Sequence, residues 1–88
     1  MREVWIDDVL LTFDGTVVEV FGFPSHASVR FHVQNIVVEV GEPNRKGRRA
    51  LQFDPASKYS GGVRMDVPPE DWPAVEPVVQ AILAAMPD

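Results

Sequence analysis

The sequence predicts a mainly β fold, α+β by content, in which six to seven short antiparallel strands are capped by one C-terminal α-helix. Two observations support this prediction. Short apolar runs that alternate with polar residues recur over residues 5–67, separated by clusters of Gly, Pro, Asn and Asp. From Trp72 onward the apolar spacing changes to the helical period, so one face of a helix must be buried against the strands.

The size and composition of the chain are those of one domain spanning residues 1–88. Hydrophobic residues make up 45% and charged residues 24%, which is typical of a soluble globular protein. No apolar run approaches the roughly 20 residues that cross a bilayer. The chain has no cysteine, and the residues after Met1 contain no apolar signal core, so we expect a cytoplasmic protein without a targeting peptide.

The charge balance restricts the classes of partner. Eight Lys and Arg against thirteen Asp and Glu leave a net charge of -5. Nucleic acids and anionic membranes carry the same sign, so we expect no nucleic-acid binding and weak or no membrane binding. Four of the eight cations are nevertheless clustered in one segment, here called the basic loop: Arg45, Lys46, Arg48 and Arg49.

The N-terminal part predicts a hairpin. A first strand is expected over Trp5–Phe13, bent near Asp7-Asp8. The dipeptide Asp14-Gly15 predicts a two-residue turn because both turn positions need positive φ, and the second strand then covers Thr16–Phe21. A loop or sheet corner is expected at Gly22–His26, where a proline cannot donate to a central ladder.

The middle of the chain predicts further strands. Ser28–Gln34 shows the cleanest alternation, and Ile36–Val40 resumes it after Asn35, so the two segments are either two strands or one sharply bent strand. Another strand is expected around Arg49–Phe53, before a loop that starts at Asp54-Pro55 and ends at Gly61-Gly62. Val63–Val67 is predicted to be the last strand.

The apolar stripe of the predicted helix consists of Trp72, Val75, Val79, Ile82, Leu83 and Met86. The start of this helix is ambiguous. Asp71 as the N-cap would place Pro77 in the second turn at the cost of a hydrogen bond, whereas the main helix could instead begin near Pro77. We favour a continuous or mildly kinked helix.

The order of elements and the stretch Ser28–Val40 resemble bacterial pleckstrin-homology-like (PH-like) and GRAM-like domains, in which an Arg-bearing strand leads through an Ile into the next strand. The matching residues here are Arg30 and Ile36. The resemblance implies a PH-like barrel made of an orthogonal pair of sheets with the helix over one end, and a binding module rather than an enzyme. Lipid-binding members carry Lys and Arg between the first two strands, whereas this chain has the acidic Asp14-Gly15.

The residues indicate no catalytic or metal chemistry. His26 and His32 are the only imidazoles, whereas zinc needs three or four ligands at compatible spacing. A Ser-His-Asp set could be assembled from Ser25 or Ser28, His26 and Asp54, but neither serine lies in a nucleophile motif. We therefore predict no enzymatic activity, no metal and no cofactor.

Three functions are compatible with these patterns. The first is binding of a protein or peptide partner along an exposed strand edge or beside the helix, with Arg30 and His32 on the outer face as contacts together with the basic loop. The second is capture of an anionic ligand or membrane headgroup by the basic loop, although a solvated hairpin loop that balances surface acids is the simpler interpretation of that segment. The third is self-association through unpaired strand edges.

Overall fold

A computed structural model describes residues 1–22, 28–56 and 62–87, which form two antiparallel sheets and one helix. The first sheet has four strands in the order β1-β2-β3-β4, and the second has three in the order β5-β6-β7. The elements are β1 Arg2–Ile6, β2 Val9–Phe13, β3 Val17–Phe21, β4 Ser28–His32, β5 Ile36–Val40, β6 Arg49–Pro55, β7 Val63–Val67 and α1 Trp72–Ala85.

The predicted mainly β fold with a C-terminal helix is confirmed, but the sheets do not close into a barrel. Within the described ranges, no hydrogen-bonded ladder joins one sheet to the other. A 3₁₀ turn over Val33–Asn35 separates β4 from β5, and the Asn35 carbonyl already accepts from the Ala56 N–H at 2.7 Å in the second sheet. Of the two alternatives for residues 28–40, two strands is therefore the correct one.

The first predicted strand is in fact a hairpin. Ile6 pairs with Val9, so Asp7 and Asp8 form the tight turn between β1 and β2. Asp7 has φ of 53°, a left-handed conformation that Asp tolerates better than most residues. An Asp-Asp pair is a weaker turn signal than Asp-Gly, and the apolar run continues through it, which explains why alternation alone indicated one bent strand.

Two other predicted turns also differ from the structure. The Asp14-Gly15 hairpin exists, but β2 ends at Phe13 and β3 begins at Val17, so the connection covers residues 14–16 instead of two residues. Pro55, expected in a loop, ends β6. Its missing N–H costs no ladder bond to β7, because the described β6–β7 pairing ends at Phe53. The predicted corner at Pro24 and the doublet residue Gly61 lie outside the described residues.

The helix is continuous, as favoured from the sequence. It begins after Asp71, whose side chain makes no capping hydrogen bond, and it accommodates Pro77 in its interior. The predicted apolar stripe is correct at Val75, Val79 and Ile82 but wrong at Leu83, which is exposed; Val78 is buried in its place.

One core lies between the two sheets and the helix. α1 packs against β1 and β2, and Phe31 of the first sheet meets Phe53 of the second with ring centroids 6.2 Å apart. Leu11, Leu51 and Phe53 are fully buried, and each such side chain stabilises the fold by roughly 1.5–3 kcal/mol. The residues that remain accessible to a partner or ligand therefore lie at the strand edges and in the loops.

Candidate functional site

The candidate site is the outer edge of β5, which we call the β5 edge (residues 36–40). β5 is the terminal strand of the three-stranded sheet. Val37 and Val40 are 40% and 41% exposed, and Glu39 between them is also exposed. Two apolar side chains and one acid are thus presented along a short terminal strand.

The backbone of β5 leaves one set of hydrogen-bonding groups directed away from the sheet. The Gly41 N–H donates to the Ala50 carbonyl at 2.8 Å, and the Asn35 carbonyl accepts from the Ala56 N–H. Because backbone groups alternate in direction along a strand, the N–H and C=O groups of residues 37 and 39 also point toward β6. The N–H and C=O groups of Ile36, Val38 and Val40 therefore point outward. Within the described ranges these three residues have no hydrogen-bond partner beyond the β5–β6 ladder.

A shallow recess adjoins this edge on the outer face of the sheet. Glu39, Gln52 and Arg64 form one cross-strand row of the three strands and line the recess. Gly41, which has no side chain, and Ala50, which has only a methyl group, line it too beside the end of β5.

The opposite edge of the same sheet is partly occupied by Arg48. The β6–β7 register directs the Asp66 carbonyl away from β6, and Arg48 Nη2 donates to that oxygen at 3.1 Å. The same nitrogen lies 3.5 Å from Asp7 Oδ2 in the β1–β2 turn. Arg48 consequently connects the edge of one sheet to a turn of the other.

The basic loop is internally ordered. The Asn44 side-chain oxygen accepts from the N–H groups of Lys46 and Arg48 at 2.9 and 3.0 Å, which is a turn motif typical of Asn. Gly47 has φ of 77°, and a β-carbon at this position would lie 3.3 Å from the Pro69 ring. A glycine is therefore favoured where the loop approaches the segment before α1.

Arg49 also makes contacts within the protein. Its guanidinium carbon lies 5.1 Å from the centroid of the Trp72 ring at the start of α1, a cation–π geometry. Its Nη1 donates to the Gly41 carbonyl at 3.4 Å. Of the four cations in the basic loop, only Arg45 and Lys46 are exposed side chains, and neither forms an ion pair with another described residue.

Arg30 and His32, predicted as partner contacts, lie elsewhere. Both are exposed on β4, in the other sheet. Arg30 Nε bonds Glu19 Oε2 at 2.9 Å across the β3–β4 pair, and this hydrogen bond and the carboxylate charge raise the pKa of Arg30. His32 Nδ1 accepts from the Gln34 N–H at 3.2 Å and so caps the 3₁₀ turn.

The predicted site residues therefore do not form one site. Arg48 and Arg49 hold parts of the fold together, Arg45 and Lys46 lie at a loop tip, and Arg30 is paired on the other sheet. The β5 edge was missed as a specific site because sequence alternation identifies a strand but not its neighbours. The one available signal was the low charge of Ile36–Val40.

Metal-ligand clusters and membrane-spanning helices are two further features that bear on function. Among residues 1–22, 28–56 and 62–87, no group of three or more His, Asp and Glu side chains is placed to hold a metal ion. His26 lies outside these ranges. No helix in the described part of the chain has the length and apolar character needed to cross a bilayer.

In comparisons with known proteins, no family model, no curated protein and no solved structure matches this chain.

Proposed function

We propose that this chain is a non-catalytic, PH-like interaction module that binds an extended segment of a protein partner by adding it as a strand to the β5 edge. The observation that supports the proposal most directly is the set of outward N–H and C=O groups at Ile36, Val38 and Val40. In strand addition such groups supply affinity through main-chain hydrogen bonds, while alternate side chains supply specificity.

Comparison with the other strand edges favours β5. On β7, the outward carbonyl of Asp66 is already bonded to Arg48. On β1, the charged residues Arg2 and Glu3 come first, and charges on an edge strand discourage pairing with another chain. On β4, the other end of the four-stranded sheet, the charged Arg30 stands among the polar residues Ser28 and His32. β5 has one charge, Glu39, among four aliphatic residues, so it is the most apolar of the four terminal strands.

The order of the elements is consistent with the PH-like part of the proposal. Seven strands in the described ranges, divided four and three between two sheets, precede a C-terminal helix that packs against the first two strands. The resemblance of Ser28–Val40 to PH-like domains implies the same order and a binding role. Capture of an anion by all four cations of the basic loop is the weaker alternative, because Arg48 and Arg49 contact the protein itself.

The proposal is tested by blocking the β5 edge with proline. In Val40→Pro the lost N–H points outward, so the β5–β6 ladder keeps its bonds while the edge loses a donor and gains a ring. Glu3→Pro is the matched control, since the alternation that follows from the Ile6–Val9 pair directs the Glu3 N–H outward on β1.

The measurement is quantitative capture of partner protein by immobilised wild type and both variants, with circular dichroism to verify folding. We expect Val40→Pro to lose at least about tenfold in partner affinity, equivalent to one or two lost main-chain hydrogen bonds. Glu3→Pro should bind like wild type. Undiminished binding to folded Val40→Pro would contradict the proposal.

A further inference from the structure

We infer that the segment added to β5 is cationic, with a lysine or arginine opposite Glu39 and aliphatic side chains at the alternate positions. This inference rests on the proposed function and specifies the chemistry of the partner. It follows from the charge and the register of a single strand.

Glu39 is the only charged residue of β5 and lies near its middle, on the outer face. Its cross-strand neighbour on β6 is Gln52, which is neutral. Within the described ranges Glu39 forms no salt bridge and no side-chain hydrogen bond. The site therefore presents a carboxylate without a cation at the position that a partner strand would face.

Arg64, the cation in the same cross-strand row as Glu39, does not take the place of a cation on an added strand. Arg64 follows Gln52 in the row but belongs to β7, two strands away from β5. Two strand spacings amount to roughly 10 Å between backbones, whereas directly paired residues have Cβ atoms about 5 Å apart. A lysine or arginine on an added strand would thus be the closer cation to Glu39.

The other face of β5 specifies aliphatic residues. Ile36 is buried and Val38 half-buried on the core side, while Val40 is 41% exposed at the open end of the strand. Partner side chains opposite these residues would extend the apolar layer beyond the sheet. Because side chains alternate along a strand, apolar residues would flank the cation in the sequence of the partner.

A second copy of this strand fits the site less well. Ile36–Val40 contains no cation, so β5 pairing with itself cannot neutralise Glu39 in any register. The antiparallel register centred on residue 39 would place two carboxylates opposite each other, and each chain carries a net charge of -5. Charge complementarity therefore favours a different, basic partner.

The test uses two synthetic peptides of nine residues in which valine and threonine alternate and the central threonine is replaced by lysine in one and by glutamate in the other. Each is titrated into the ¹⁵N-labelled full chain, and the amide shifts of Ile36, Val38 and Val40 report binding at the β5 edge. The variants are Glu39→Lys, which reverses the charge, and Glu3→Gln, which removes an exposed acid from β1, a terminal strand of the other sheet. Sedimentation of the free chain measures self-association.

We expect the lysine peptide to bind wild type about two- to fivefold more tightly than the glutamate peptide, as for an exposed cross-strand ion pair. Glu39→Lys should reverse this preference, and Glu3→Gln should preserve it. Raising the salt concentration should reduce the preference without abolishing the binding of either peptide.

Three kinds of result would overturn different claims. Equal binding of both peptides at the β5 amides, or an unchanged preference in Glu39→Lys, would overturn the inference of a cationic partner and leave strand addition intact. Absence of shifts at these amides with either peptide would contradict the proposed function itself. A stable dimer whose β5 amides are protected from exchange would replace the basic partner by a second copy.

Discussion

The two edges of the three-stranded sheet differ in whether their outward backbone groups are hydrogen-bonded to another part of the chain. At β7, the outward Asp66 carbonyl accepts a hydrogen bond from Arg48, which also approaches Asp7 of the other sheet. At β5, the outward groups of Ile36, Val38 and Val40 have no partner within the described ranges. One edge contributes to the fold, whereas the backbone groups of the other are left without a partner among the described residues.

This difference between the edges depends on contacts that composition does not contain. The basic loop is the most distinctive segment of the sequence, yet Arg48 and Arg49 stabilise contacts between parts of the fold. The β5 segment looks ordinary in the sequence and becomes a candidate only when its position at the end of a sheet is known. The contrast between the edges can be tested by two sets of variants, and a third variant provides a comparison away from both edges.

The largest effect is expected from proline scanning of β5, which tests the direction of its backbone groups. Glu39→Pro removes an N–H that faces β6 and should lower the free energy of unfolding by about 2–4 kcal/mol, because a ladder bond is lost and the Gln52 carbonyl is left unpaired. Val40→Pro should cost less than about 1 kcal/mol. Urea unfolding of both variants measures the difference. Equal losses would show that the assigned register is wrong.

A smaller effect is expected when the closed edge is opened. Arg48→Ala removes the hydrogen bond to the Asp66 carbonyl, and we expect a loss of about 1–2 kcal/mol, reduced from the full value of a charged hydrogen bond because the side chain is 34% exposed. Arg45→Ala, a matched change at the tip of the same loop, should stay within about 0.5 kcal/mol of wild type. Thermal unfolding would detect the difference in stability between the two variants. If Arg48→Ala were as stable as wild type, the distinction between the two edges would be removed.

The smallest effect concerns pH and lies in the four-stranded sheet, away from both compared edges. The N–H groups of Thr16 and Val17 donate to Asp14 and hold the pKa of this carboxyl below its ordinary value of 3.8. Because the pKa is lower in the folded state, Asp14 contributes stability above pH 3.8, and the contribution is lost as the pH falls through the folded value.

Asp14→Asn should therefore unfold at slightly lower urea than wild type at pH 6, and the difference should shrink at about pH 2.5. At pH 6, Asp14→Asn should not alter the stability changes expected for the variants at the two edges. A difference between wild type and Asp14→Asn that grew on acidification would contradict the assigned role of the carboxylate.

Much of the fold could be predicted from local patterns. Alternation located β3, β5 and β7 to within a residue or two, and the helical spacing from Trp72 located α1, because burial of one face imposes a period on the sequence. The tight turn at Asp7-Asp8 was missed because the strands on both sides are apolar and no glycine marks it. Leu83 was wrongly assigned to the buried stripe because Val78 and Leu83 both lie at the border of the stripe, and spacing alone does not show which of them is buried.

The candidate site could be predicted only in part. Arg45, Lys46, Arg48 and Arg49 were correctly recognised as a cluster in sequence, but their different contacts depend on Asp66, Asp7 and Trp72, which lie on distant parts of the chain. Spacing along the chain contains no information on such contacts. Arg30 is a similar case, since its partner Glu19 is specified by the β3–β4 register.

The sequence by itself determined the mainly β class, the C-terminal helix, the acidic charge and the one exposed acid of an otherwise aliphatic segment, because these depend on residue type and local periodicity. Only the tertiary structure decided that the strands separate into sheets of four and three, that β5 ends one of them, and that Arg48 occupies the opposite edge. The physical reason is that a strand completes its hydrogen bonds with whichever neighbour the rest of the chain supplies. An open edge is therefore a property of the assembled sheet, and no single strand specifies it.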